Sequence, residues 1–149
     1  GDDHRGLRDI VEVRITLDNA LAEPVTHAWH NRHDPELDTL VDNIEHLASQ
    51  GKLFTDQDRR FHTRLLEPLD NHLYLHLTEA FWAIHTLTVP LLDAPKLEDL
   101  TSTAKAHRAM LQAAHAGDTP AYHQAITDHY APLLAVLTHP VENSSVRAG

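Results

Sequence analysis

The sequence predicts an all-α protein, built as an antiparallel bundle of six or seven helices. Apolar residues recur every three or four positions along most of the chain, which is the period of an amphipathic helix. Proline, glycine and acidic residues interrupt this pattern at intervals typical of helix ends. Runs of alternating apolar and polar residues, which would indicate strands, are not evident. Because 149 residues suffice to bury one core, a single helical domain is the simplest interpretation.

The first half of the chain predicts three helices. The first spans about residues 7–29, and Pro24 is predicted to kink or interrupt it near its end. The second spans 35–50, since an aspartate and a proline precede it as N-cap and first helical residue, and a glycine follows it. The third spans 55–69 and begins with Thr-Asp-Gln-Asp at 55–58, which resembles a capping box.

The second half predicts three more helices. They span about 72–88, 96–116 and 119–137, and the last of them is predicted to bend at Pro132. A connection at 90–95, bounded by two prolines, separates the first two. The apolar face predicted for the helix at 72–88 consists of Leu73, Leu77, Phe81 and Ile84.

These elements suggest one domain with short flanking segments. We expect residues 7–137 to form the domain, residues 1–6 to be a leader or linker remnant, and residues 138–149 to be a C-terminal tail. Because the chain starts at a glycine, we also expect that a partner domain is absent from it.

Charge and composition exclude several functions. The chain has 12 Lys and Arg against 22 Asp and Glu, a net charge of −10, so it offers no surface of its own for DNA or an anionic membrane. No apolar run reaches the length of a membrane span, and no signal segment opens the chain, which predicts a cytoplasmic protein. Since cysteine is absent, any metal would have to be held by histidine and carboxylate.

Three histidines and one aspartate lie on helix faces that are otherwise apolar. Asp58 and His62 are separated by four residues, so they share the face of the third helix that carries its leucines. His107 lies in register with leucine and alanine residues of its helix, and His129 lies between Ile126 and a leucine. The periodicity therefore predicts that all three imidazoles are buried.

Two interpretations of these buried histidines remain open on periodicity alone. A single core histidine is usually satisfied by hydrogen bonds and has no further role. Three of them with an acid also suit a metal site, because an i, i+4 pair offers two ligands from one helix and neighbouring helices complete the set. Trp29 and Trp82 are interpreted as packing anchors rather than as a cofactor box.

The chain resembles the FCD domain, the effector-sensing C-terminal half of FadR-subfamily regulators in the GntR family of transcription factors. The third helix has the pattern D-x-x-F-H in Asp58 to His62, and the intervals from His62 to His107 and from His107 to His129 are 45 and 22 residues. The other similar pieces occur in the family's order and are residues 9–14, Asn71, residues 106–110, residues 117–118 and residues 128–130.

The resemblance implies a metal site made of Asp58, His62, His107 and His129. Three imidazoles and one carboxylate favour a divalent ion, with Zn or Ni foremost. A six-coordinate ion would keep two positions open, and a small organic carboxylate can occupy them.

The resemblance and the residue types together suggest three effector contacts. Arg14 matches a family position that faces the effector, and a guanidinium suits a carboxylate; a surface ion pair with Asp18 at i+4 is the alternative. Asn71 is a candidate donor to the ligand, although a turn or N-cap role is equally compatible with it. His76 is a candidate contact at the rim of the pocket.

The preferred function is therefore effector sensing by a transcriptional regulator. In this hypothesis DNA is bound only by an N-terminal winged helix-turn-helix domain that this chain lacks, and the family implies a homodimer. A mononuclear metal-dependent hydrolase or oxygenase is the alternative. A di-iron carboxylate enzyme is disfavoured because Glu-x-x-His does not occur in the chain. A metal-free interaction bundle is the third possibility.

Overall fold

A computed structural model describes residues 2–88 and 95–138, and these residues form seven α-helices and no strand. The all-α prediction is therefore confirmed. Most of the predicted connection at 90–95 and nearly all of the predicted tail at 138–149 lie outside the described residues. In this part of the chain no helix is both long and apolar enough to cross a bilayer. The helices are α1 (Asp2–Ala20), α2 (Ala22–Trp29), α3 (Pro35–Ser49), α4 (Thr55–Leu66), α5 (Leu73–Thr88), α6 (Leu97–Ala116) and α7 (Thr119–Thr138).

Pro24 divides the first predicted helix into α1 and α2. A proline has no N–H to offer to the carbonyl four residues earlier, and its ring crowds that carbonyl. The carbonyl in question belongs to Ala20, which is the last residue of α1. The interruption therefore lies at Leu21, upstream of the proline that causes it. The helix also begins at Asp2, earlier than the predicted start at residue 7.

The core is centred on α6, which packs against α2, α3 and α7. Trp29 at the end of α2 is fully buried, and its indole N–H donates to the Leu65 carbonyl at 2.9 Å, which ties α2 to α4. Complete burial of a side chain of this type contributes about 1.5–3 kcal/mol, so such anchors fix the helix positions. The predicted register of α6 is confirmed by the burial of Leu100, Ala104, His107, Leu111 and Ala114.

The orientation of α5 differs from the sequence prediction. The stripe expected to be its buried face is largely exposed, with Leu73 at 59%, Leu77 at 38% and Ile84 at 39% exposure. The face directed into the protein carries Thr78 and Trp82, which are 8% and 1% exposed. This helix is apolar on more than one side, so periodicity did not identify the side that packs against α1 and α4.

The start of α4 also differs from the prediction. The N-cap is Phe54 rather than Thr55, and no side chain caps the helix. The Asp58 carboxylate, expected to close a capping box, contacts imidazoles instead. Asp58 thus lies in the first turn of α4, where a negative charge interacts favourably with the helix dipole.

Ion pairs hold α4 and α6 against α3. Arg60 of α4 donates to both Glu36 carboxylate oxygens, at 2.5 and 2.9 Å. Arg108 of α6 reaches Asp42 and Glu45, each at 2.6 Å. A partly exposed ion pair stabilises the folded state by only about 0–1 kcal/mol. The larger effect of these pairs is to fix the rotation of α4 and α6, which carry site residues, about their own axes.

Candidate metal centre and ligand cavity

Three helices bring Asp58, His62, His107 and His129 together. Asp58 and His62 come from α4, His107 from α6 and His129 from α7, and one ligand atom of each lies within 4.8 Å of all the others. The histidines are 6%, 0% and 7% exposed, so their predicted burial is confirmed. Because α4 packs mainly on α3 and α5, these side chains connect α4 to the α6–α7 pair.

The separations within the cluster match those between ligands of one ion. The Asp58 Oδ1 atom lies 2.7 Å from His107 Nε2, 3.0 Å from His62 Nε2 and 3.7 Å from His129 Nε2. His129 Nε2 lies 3.0 Å from His62 Nε2 and 3.3 Å from His107 Nε2. Adjacent ligands at about 2.1 Å from an ion are roughly 3.0 Å apart in an octahedron and roughly 3.4 Å apart in a tetrahedron.

Hydrogen bonding prepares His107 to be a ligand through Nε2. Its Nδ1 lies 2.8 Å from the Thr103 carbonyl, which accepts only, so Nδ1 carries the proton. In the neutral ring the Nε2 lone pair then faces the Asp58 carboxylate across 2.7 Å. Two lone pairs at that distance need a proton or a cation between them. A ligating histidine with its other nitrogen bonded to a backbone carbonyl is the usual arrangement in metal sites.

Electrostatics favour an ionised Asp58 and a neutral His129, two of the states that metal binding requires. Burial alone raises the pKa of Asp58, but His107 and the other two imidazoles outweigh it and hold that pKa well below 3.8. Burial, followed by the proximity of His107, lowers the pKa of His129 to about 3. The cluster therefore presents an ionised carboxylate and a neutral imidazole at neutral pH, as ligands must be.

A small cavity adjoins the cluster at His62, between α1, α4, α5 and α7. Its volume of about 10 Å³ is room for about one water molecule. The polar residues that line it include Arg14, Asp18 and Thr78, and the aromatic ones include Trp82. Any ligand larger than water must displace some of these side chains.

Arg14 is a buried cation in the wall of this cavity. It is 5% exposed, and its guanidinium lies over the rings of Trp82 and Tyr130, 4.7 and 5.3 Å from their centroids. It also donates to His85 Nδ1 at 3.4 Å, and burial together with Arg14 lowers the pKa of His85 to about 4. The alternative of a surface ion pair with Asp18 is wrong, because Asp18 accepts a 2.6 Å hydrogen bond from Tyr130 instead.

Within the described ranges, Arg14 has no carboxylate at ion-pair distance. A second donor in the same wall is also unsatisfied, since the buried Trp82 indole N–H has no hydrogen-bond partner in that part of the chain. Buried cations and donors are costly when unpaired. Both groups thus favour an acceptor, and an anionic one for Arg14.

Asn71 and His76 lie apart from the cluster. The Asn71 side chain is exposed and accepts a 3.0 Å hydrogen bond from the Leu73 N–H, as the turn interpretation anticipated. His76 is exposed, and neither residue lines the cavity. The orientation of α5 accounts for this, because its inward side carries Thr78 and Trp82.

The site contains residues that sequence reasoning did not single out. Trp82 was interpreted as a packing anchor, whereas it lines the cavity and stacks with Arg14. Tyr130 of α7 packs its ring against the guanidinium of Arg14 on α1. The Thr103 carbonyl accepts a hydrogen bond from His107 within α6. Tyr130 could have been suspected because it follows His129 directly; the carbonyl of Thr103 carries no sequence signal.

Comparisons with known proteins identify the family of the chain. The FCD domain family matches residues 9–132, which include the whole cluster and Arg14. The chain is 44% identical over 114 residues, 76% of its own length and 82% of the relative's, to a Micromonospora viridifaciens protein named "putative transcriptional regulatory protein NedR". No solved structure gives a significant match. The chain therefore belongs to the FCD domain family, the helical ligand-binding domains of GntR-type transcriptional regulators, and is consistent with the FadR subfamily.

Proposed function

We propose that this chain senses a small organic acid at a divalent metal ion held by Asp58, His62, His107 and His129. The observation that carries the proposal is that two features adjoin each other. One is the convergent Asp/His₃ cluster, and the other is a cavity wall with a buried Arg14 that has no carboxylate partner among the described residues. Zn or Ni suits three imidazoles and one carboxylate best. When bound, the ion supplies open coordination positions for a carboxylate.

The chain's own residues would orient the acid. Arg14 presents a planar pair of donors that matches a carboxylate, and stacking between Trp82 and Tyr130 limits its rotation. The indole N–H of Trp82 offers a further donor to an oxygen of the ligand. Asn71 and His76 have no part in this proposal, since they lie outside the cavity wall.

The small cavity couples ligand entry to helix position. A volume of about 10 Å³ cannot admit an organic acid unless α1, α5 or their side chains shift. Arg14 lies on α1, the first helix of the chain, and we propose that a DNA-binding winged helix-turn-helix domain precedes α1 in the complete regulator. Ligand binding would then change the population of α1 positions, and with it the spacing of two DNA-binding domains in a cytoplasmic homodimer.

Metal content and ligand binding test the proposal. Untagged protein, dialysed and assayed by mass spectrometry, should retain close to one equivalent of metal, and a chelator should lower its melting temperature. Acetate, succinate and 2-hydroxypropanoate, tested by calorimetry with Zn²⁺ or Ni²⁺ and after chelation, should bind only when metal is present. Retention of little metal, with a melting temperature indifferent to chelator, would contradict the site.

The conservative variant Arg14→Lys separates ligand binding from metal binding. Lysine keeps the charge but loses the paired donors, so affinity for the acid should fall while metal content is unchanged. Recovery of chemically unaltered acid after prolonged incubation is expected of a sensor. Catalytic conversion of the acid would instead support the metal-dependent hydrolase or oxygenase.

A further inference from the structure

The cavity wall carries a carboxylate as well as the cation of Arg14. Asp18 is half-buried, and among the described residues it is the only acidic one that lines the cavity. The two charges do not form an ion pair in this structure. A ligand that enters the cavity therefore meets a positive group and a negative group, and neither one neutralises the other by direct contact.

Asp18 has capacity for a further hydrogen bond. Its Oδ2 atom accepts from the Tyr130 hydroxyl at 2.6 Å, and no other hydrogen bond to this carboxylate occurs within the part of the chain that the structure describes. A carboxylate offers about four acceptor positions on two oxygens and only accepts. Because the Tyr130 hydroxyl already gives its one hydrogen to Asp18, a ligand atom that contacts Asp18 must bring a hydrogen of its own.

The spacing of the two charged residues is set by a single helix. Arg14 and Asp18 are four residues apart on α1, so they share a face and lie about 6 Å apart along the helix axis. The cavity of about 10 Å³ must widen before an acid can enter, but a shift of α1 moves both residues together. The spacing between the cationic and the anionic position is therefore retained when the ligand enters.

The two positions prefer opposite chemistry. The guanidinium of Arg14 suits a carboxylate, as the proposed function requires. Asp18 repels a second carboxylate and gains no hydrogen bond from an apolar group, whereas a hydroxyl or an ammonium group can donate to it. A site that combines an attractive and a repulsive element discriminates between ligands more sharply than attraction alone.

We propose that the effector is an acid with a hydroxyl or ammonium group about one helical turn from its carboxylate, and that Asp18 binds this group. A hydrogen-bond donor is the chemistry that the two groups share. The inference rests on the proposed function, because it names the class of acid that the sensor accepts. It also implies that dicarboxylates of the same length are poor ligands.

Four acids with the same four-carbon chain test this inference. They are butanoate, 4-hydroxybutanoate, 4-aminobutanoate and succinate, and they differ only at the end remote from the shared carboxylate. Calorimetry with Zn²⁺- or Ni²⁺-loaded protein, freed of excess metal, should show that at least one of the two donor-bearing acids binds about 10-fold or more tightly than butanoate. Succinate should bind most weakly. The tighter of the two donor-bearing acids identifies the donor group.

Asp18→Asn tests whether Asp18 is the residue that discriminates. Asparagine removes the charge at nearly unchanged volume, and its amide can donate to a carboxylate. The difference in affinity between 4-aminobutanoate and succinate should therefore shrink by about 10-fold or more. Glu12→Gln is the matched control, since Glu12 is an exposed acid on the same helix, and it should keep the preference of the wild type. Metal content should be the same in all three proteins.

A second variant separates ligand binding from a purely structural role of Asp18. Tyr130→Phe removes the hydroxyl that donates to Asp18 but keeps the aromatic ring beside Arg14. If Asp18 binds the ligand, this variant should retain the preference for the donor-bearing acid over succinate. Loss of that preference to the same extent as in Asp18→Asn would show that Asp18 acts only through Tyr130, which overturns the inference.

The remaining outcomes distinguish this inference from the proposed function. Equal affinities for the four acids, or tightest binding of succinate, overturn the inference and leave the metal-dependent sensor standing. A preference that survives Asp18→Asn overturns the assignment to Asp18. If metal-loaded protein binds none of the four acids, and acetate and 2-hydroxypropanoate do not bind either, the inference and the proposed function fail together.

Discussion

Replacement of Asp58 by asparagine removes the only negative charge among the four proposed ligands. The carboxylate oxygen lies 2.7, 3.0 and 3.7 Å from the three imidazole Nε2 atoms, so the change acts on the centre of the cluster with almost no change in volume. Loss of a partner outside the ligand shell already lowers metal affinity by about 10- to 100-fold. We take about 100-fold for the loss of a ligating carboxylate.

The expected loss of stability follows from this factor. With metal at about 1,000 times the dissociation constant, binding stabilises the folded state by about 4.1 kcal/mol, and a 100-fold weaker site would leave about 1.4 kcal/mol. The difference is about 2.7 kcal/mol, and for a chain of 149 residues about 1 kcal/mol corresponds to roughly 3 °C. Asp58→Asn should therefore melt about 8 °C below wild type in the presence of metal.

The assay is thermal unfolding with one concentration of Zn²⁺ or Ni²⁺ and with chelator, together with metal analysis after dialysis. Asp56→Asn is the matched control, since Asp56 is an exposed acid in the same first turn of α4. It should keep the full metal-dependent rise in melting temperature. An equal rise in Asp58→Asn and wild type would refute the ligand assignment of Asp58.

Three further changes test other parts of the structure. Gly117→Ala should lower the melting temperature by roughly 3–6 °C, because Gly117 has φ of 66° and a Cβ there would lie 3.0 Å from the His30 ring. Gly6→Ala is the control, since a Cβ at Gly6 would have no atom within 4 Å. Equal effects of the two substitutions would contradict this account. In chelator, the free energy of unfolding should fall on acidification from pH 6.5 to 5, by up to about 1.4 kcal/mol per pH unit, because the folded-state pKa of His129 is lowered to about 3 and the unfolded chain takes up the proton first. Urea titrations of His129→Gln should show a shallower pH dependence, and an unchanged slope would count against this cause. Trp82→Phe should keep the aromatic wall of the cavity but lose the indole N–H, so calorimetry should show acid binding weakened by roughly 2- to 12-fold at unchanged metal content. Undiminished affinity for the acid would show that the indole donor is not used.

The sequence by itself determined the helical class and most of the cluster. A helix repeats every 3.6 residues, so His62 and His107 could be assigned to buried faces from their apolar neighbours alone. The four-residue interval between Asp58 and His62 likewise places both on one face whatever the tertiary structure. Local geometry decides such features, and for that reason they can be read from the chain.

Tertiary packing decided those cases in which the local sequence is compatible with two different arrangements. The α5 helix is apolar on more than one side, and only the position of α1 and α4 selects Trp82 for the interior and leaves Leu77 outside. Arg14 is similar, since a surface ion pair and a buried stacked cation are equally compatible with its place on α1. Its burial depends on Trp82 and Tyr130, which reach it from α5 and α7.

Packing between helices likewise determined the cavity and the surroundings of Asp58 at the start of α4. The sequence allowed the Asp58 carboxylate either a local capping bond or contact with imidazoles. His62 is near it within α4, but only the assembled bundle brings His107 of α6 and His129 of α7 within 2.7 and 3.7 Å. Contacts between residues far apart in the chain depend on how whole helices pack. The chain therefore specified which residues are chemically suited to a metal and an acid, and the packing of α1, α4, α5, α6 and α7 determined which of them meet.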